Sequence, residues 1–177
     1  MRRVTLGVRL LAVALLAACA SAPQGGYRAS GTAIYSNAVF QPERLSGRWV
    51  QVADFAGLGA AGCAASGLVV VPEGGQLGLE ADLCIGGVRR AFRGEATVTG
   101  PGRITLAGAD PAGLGAEWWV LWVDDGYRTL VIGTPSGQFG FVLNRDPVLP
   151  ADRQAAAREV LVWNGYDLSR MRAVAAP

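Results

Sequence analysis

Along most of the chain, apolar and polar positions change over in short runs, not at helical spacing. Segment 47–55 reads Gly-Arg-Trp-Val-Gln-Val-Ala-Asp-Phe, and Glu95, Thr97 and Thr99 alternate with Ala96 and Val98. Such period-two runs predict half-buried strands. The pattern predicts strands at 47–55, 67–71, 76–85, 88–99, 103–107, 117–123, 127–133 and 138–144. Turn residues separate them: Pro72-Glu73-Gly74-Gly75, Gly100-Pro101-Gly102, Asp124-Asp125-Gly126 and Thr134-Pro135-Ser136-Gly137. Eight strands at meander spacing suit an all-β, antiparallel up-and-down barrel. Segment 27–41 looks irregular and could close one barrel end. The period changes once. Pro150-Ala151-Asp152 opens a helix over about 151–163, in which Ala156, Val160 and Trp163 recur at helical spacing as one apolar face, and Gly165 stops it. One helix cannot be half of an α/β fold, so it is expected against the barrel wall. Residues 166–174 leave room for a last short extended piece.

The start of the chain is different. Arg2, Arg3 and Arg9 precede an apolar run at 10–18 that is too short to cross a bilayer comfortably as a permanent helix. Leu16-Ala17-Ala18-Cys19 resembles the bacterial lipobox. That resemblance implies a signal peptide at 1–18, removed before Cys19, which then carries the acyl chains. An ordinary signal peptide cut near Ala22, discarding Cys19, is the other reading. Residues 19–40 are expected as the lipidated cysteine, a flexible tether and a lead-in, and residues 41–177 as one domain. By the same resemblance, Ala20 after the cysteine favours the outer membrane.

Composition narrows the chemistry. The 177-residue chain has no His, and all sixteen basic residues are Arg. The usual neutral-pH base is therefore missing, as are a Schiff-base lysine and a phosphate-loop lysine. Removal of 1–18 leaves thirteen Arg against fourteen acids, and so nearly neutral a body has no footprint for nucleic acid. With Cys19 lipidated, Cys63 and Cys84 are an even pair in an exported protein and read as a disulfide, two free thiols being the alternative. No metal or cofactor site can be assembled from what remains, and no nucleophile–base pair can be named, so catalysis is not expected.

Three motifs, in order, resemble the lipocalin family: Gly47-x-Trp49 opening the first strand, Asp124-Asp125-Gly126-Tyr127 between the sixth and seventh, and Arg145 ending the eighth. The stretch 118–147, and Asn164-Gly165-Tyr166-Asp167-Leu168 after the helix, look like bacterial outer-membrane lipocalins. The second motif departs from the common form and supports fold more than site. The resemblance implies that Trp49 lies inside the closed end of the barrel with Arg145 packed over it, and that Gly47 allows the sharp turn into the strand. These three would close the barrel and not touch a ligand. With Trp49 inward, alternation places Gln51, Ala53 and Phe55 inward, and Arg145 does the same for Leu143, Phe141 and Phe139. The family pattern adds Trp118, Val120, Trp122, Thr129 and Val131 to the cavity wall, and turns Trp119, Leu121, Ile132 and Val142 outward.

The expected function is a membrane-anchored binder, store or carrier of a hydrophobic small molecule of the fatty acid or lysophospholipid class. It would serve lipid maintenance at the periplasmic face of the outer membrane. Gln51 and Thr129 are inward polar candidates for a headgroup. Arg89, Arg90 and Arg93 could flank the open end or form a solvated strand edge. A filled barrel, acting as a structural or interaction lipoprotein and able to form a homodimer, is the alternative.

Overall fold

The computed structural model describes residues 26–108, 114, 117–175 and 177. The expected signal peptide, Cys19 and most of the tether lie outside the described residues. The strands are β1 Gly47–Phe55, β2 Gly67–Glu73, β3 Gln76–Ile85, β4 Val88–Gly100, β5 Arg103–Leu106, β6 Glu117–Val123, β7 Thr129–Gly133 and β8 Gly140–Asn144. From β2 to β8 each strand pairs antiparallel with the next. β1 then pairs with β8 on one edge and β2 on the other, which closes the eight-stranded up-and-down barrel. Helix α1, Ala151–Trp163, follows. A short β9, Met171–Ala173, pairs with the second half of β1.

Closure depends on a close crossing. Gly67 opens β2 with φ +108°, and a Cβ there would lie 2.0 Å from the Trp49 carbonyl oxygen. Only a residue without a side chain permits that approach. Where β1 runs beyond the start of β2, the Gln51 amide replaces a strand partner. Its Nε2 donates to the Cys84 carbonyl (2.8 Å), and Oε1 accepts from the Cys84 amide (2.6 Å).

Two bulges decide which side chains face inward. Between Gln51 and Ala53 the β1–β8 register shifts, so that Gln51 opposes Leu143 and Ala53 opposes Val142. Between Val120 and Trp122 the β6–β7 register shifts in the same way. Each extra residue reverses the alternation beyond it. The larger apolar cluster fills the barrel and includes Trp49, Leu83, Trp118, Val120, Leu130, Ile132, Phe139, Phe141 and Leu143. The smaller one lies between the wall and α1: Ala53, Phe55, Leu121, Val131, Val142, Ala157, Leu161 and Tyr166, with Trp119 and Trp122 packed against it.

Helix α1 docks by a stripe other than the expected one. Arg153, Ala157 and Leu161 are its buried residues, whereas Ala156 and Val160 are half-buried and Trp163 points to solvent. Full burial of Leu161 contributes about 2 kcal/mol. Asn164 and Gly165 end the helix. The Gly165 amide donates to Val162 O and the Tyr166 amide to Leu161 O, satisfying two terminal carbonyls.

Candidate functional site

The barrel has a sealed pole and an opposite rim. At the sealed pole Trp49 is fully buried, and its Nε1 donates to the Leu45 carbonyl at 2.8 Å. The Arg145 guanidinium lies over the indole, 3.7 Å from the ring centroid. It donates to the carbonyls of Arg48 (2.9 Å), Tyr127 (3.2 Å) and Arg44 (3.2 Å). Gly47 has φ +97°, and a Cβ there would touch Arg145 Nη1. The Asp124–Tyr127 turn belongs to the same seal. Burial pushes the Asp124 carboxyl up, but amide donation from Thr129 and Arg128 and the Arg128 side chain outweigh it and hold it below its usual value. Arg44 stacks on Tyr127, 4.0 Å from its centroid. Every strong group here is consumed by structure.

Above the seal, the interior is lined by aromatic rings. Trp118 meets Phe141 edge-on at 5.3 Å between centroids, and Phe139 stacks on Phe141 at 6.0 Å. Trp118 Nε1 donates to the carbonyl of Leu114, whose side chain is also buried in the barrel. Trp118, Val120, Phe139 and Phe141 are all 2% exposed or less, so the core here is tightly filled.

At the rim, β4 presents an inward row. Arg90 opposes Leu83 and Phe92 opposes Ala81, both partners being inward residues. Phe92 is only half-buried. The Nε of Arg90 is buried and has no hydrogen-bond partner among the described residues. Its neighbours on the outer face are paired: Arg89 with Asp82, and Arg93 with Glu80. The rim also holds Asp54, 2% exposed, whose Oδ2 accepts from the Gly87 amide at 2.8 Å while Oδ1 has no partner among the described residues. Burial pushes its pKa up to about 7, against the opposing pull of the Gly87, Phe55 and Gly86 amides nearby. The β1–β2 loop over Asp54 is tied to the end of β3 by the Cys63–Cys84 disulfide.

Several expected cavity residues are elsewhere. Ala53 and Phe55 face α1, because the bulge after Gln51 reverses β1. Trp122 does the same, because the extra residue after Val120 reverses β6, and Val131 does so because it pairs with the outward Val142 of β8; Val123, Leu130 and Ile132 take the inward places. Thr129 is on the outer side, where its hydroxyl donates to Asn144 Oδ1 at 2.7 Å. Gln51 is inward, but its amide is held in place by both backbone groups of Cys84, standing in for a strand partner. Asp54 and Phe92 escaped the sequence reading. Counting back from Ala96 along β4 gives the parity of Phe92 and separates Arg90 from Arg89 and Arg93, whereas Asp54 turns inward only because of the bulge.

The lipocalin-like domain family model matches residues 41–176. A comparison with curated protein sequences finds no match. Among solved structures, insecticyanin from the tobacco hornworm Manduca sexta superposes with a TM-score of 0.62 at 14% identity, covering 86% of this chain and 87% of that one. Lobster apocrustacyanin A1 gives a TM-score of 0.55 at 13% identity, covering 76% and 79%. At such identities these likenesses concern the fold alone. The family match over most of the chain, on a closed eight-stranded barrel sealed by a Trp–Arg stack, means that the chain belongs to the lipocalin-like domain family, whose members bind small hydrophobic ligands.

Proposed function

We propose that this protein binds an amphiphile with one acyl chain and an anionic head, of the fatty acid or lysophospholipid class, at the rim of the barrel. The observation that carries this reading is Arg90: a guanidinium on the inner face of β4, its Nε buried and unpartnered, next to the half-buried ring of Phe92. An unpaired buried donor on a cation is costly, and an anionic headgroup supplies the acceptor. The acyl chain then runs along Phe92 toward Phe139 and Phe141, whose rings must turn aside to admit it. A single chain fits this better than a bulky ring system.

The lipobox-like Leu16-Ala17-Ala18-Cys19 supports an acyl anchor at Cys19. An anchor on the periplasmic face of the outer membrane would keep the rim near its lipid source, which suits a part in lipid maintenance. Mass analysis of the mature N-terminal peptide tests the anchor: a diacylated Cys19 is expected, and an unmodified start near Ala22 contradicts it.

A specific observation favours a second reading. The interior side chains are almost wholly buried, as in a barrel filled by its own residues. Displacement of a dansyl-labelled fatty acid separates the two. The binder reading expects saturable fluorescence that a plain fatty acid competes away, and an affinity about 10-fold or more weaker in Arg90→Gln. Absence of saturable binding supports the filled barrel.

A further inference from the structure

Helix α1 ends in an apolar corner that none of the described residues covers. Trp163 is 75% exposed, Val162 56% and Tyr35 60%. The other four Trp residues are buried or half-buried. Trp163 stands between two shallow grooves. One is lined with Tyr35, Leu121 and Val160, the other with Val162, Leu168 and the flanking Arg158, and Glu159 borders both.

The first described residues, from Gly26, are tied to this same corner. The Tyr27 amide donates to Gly137 O at 2.6 Å, and the Asp167 amide to Tyr27 O at 2.9 Å. Arg28 Nε donates to Asn164 O at 2.7 Å, and the Tyr35 amide to Asn164 Oδ1 at 2.8 Å. Asn164 and Asp167 are sequence neighbours of Trp163 and Leu168. Cys19 lies seven residues before Gly26. At roughly 3.3–3.6 Å per extended residue, an anchor there can stand no more than about 25 Å from this corner.

We propose that the Trp163 corner of α1 is a membrane-contact surface, seated in the headgroup region of the bilayer that holds the acyl anchor. This rests on the reading of Cys19 as the anchor. Trp and Tyr suit that position because each joins an apolar body to a hydrogen-bonding tip. Arg158 and Glu159 flank them with one charge of each sign, which suits a layer of zwitterionic and anionic headgroups. The patch is a few side chains wide, well short of the roughly 800 Å² per partner of a stable protein interface. The β7–β8 turn containing Gly137 belongs to the barrel rim, so contact at this corner holds the rim toward the lipid.

The test uses the chain expressed with its leader in a bacterial host and purified as that host matures it, in vesicles of phosphatidylethanolamine and phosphatidylglycerol with and without acyl-brominated lipid. The expected result is bromine quenching of Trp fluorescence that is lost in Trp163→Ser and reduced in Tyr35→Ser, while all three proteins float with the vesicles. A wild-type chain that floats without being quenched overturns the contact surface and leaves the anchor standing. A chain that does not float overturns the anchor and the surface with it. A concentration-dependent dimer in detergent-free buffer, abolished by Trp163→Ser, assigns the corner to a second copy and overturns the membrane contact.

Discussion

Arg145 is held by three backbone carbonyls and one indole face, so its charge is spent on sealing the barrel. Arg145→Ala strands those acceptors and uncovers Trp49. A loss of about 2–4 kcal/mol is expected in urea unfolding. Arg145→Lys recovers only part of it, because an ammonium cannot span three carbonyls as a planar fork does; a loss below about 0.5 kcal/mol in Arg145→Ala contradicts the assignment. Asp54 acts in the opposite direction. Its pKa rises from 3.8 to about 7 on folding, chiefly by burial. Between those values the folded chain keeps a proton that the unfolded chain has released. Stability therefore falls as pH rises through that window and levels off above it, by roughly 2–4 kcal/mol in total. Asp54→Asn keeps an acceptor for Gly87 and removes the titration. Melting curves should show the variant more stable than wild type at pH 8 and flat where wild type slopes. Parallel profiles contradict this. Asp82, held near 2 mainly by Arg89, contributes with the other sign: its effect is present above pH 4 and fades as pH falls toward 2.

The boundaries of the elements were legible in the chain because glycine-rich turns punctuate it: β1, β3 and β6 lie where the pattern places them. The faces of the strands were legible only as far as the first bulge. Gln51 is where alternation puts it, and Ala53, two residues on, is not, because no residue type marks Val52 as the extra position. The same holds for Val120 and Trp122. On α1 a large apolar side chain at helical spacing suggested burial for Trp163. The docking stripe is made by smaller Ala157 and by Leu161, which let the helix approach the wall. The Cys63–Cys84 disulfide spans 21 positions and ties the β1–β2 loop to β3. In the chain-entropy account, reducing it costs about 3 kcal/mol. Thermal melts with and without reductant should differ accordingly, and identical melts in a chain whose thiols have become titratable contradict it.

At the scale of the whole molecule, one pole spends its polar groups on closure, and at the other Oδ1 of Asp54 and Nε of Arg90 have no partner among the described residues. Between them lies a filled aromatic interior. Such a barrel holds a ligand only if the energy of pairing Arg90 and burying an acyl chain exceeds that of turning aside rings already well packed. Affinity and occupancy thus depend on the rim and not on an open cavity, and a neutral analogue should bind far more weakly than its acid. Isothermal titration of the mature chain with a fatty acid, its alcohol analogue and the Arg90→Gln variant measures this balance most directly. The account predicts one site per chain, a negative heat-capacity change, and about a 10–100-fold loss of affinity on removing either the carboxylate or the guanidinium. Equal affinities for acid and alcohol, or no binding heat at any temperature, would contradict it.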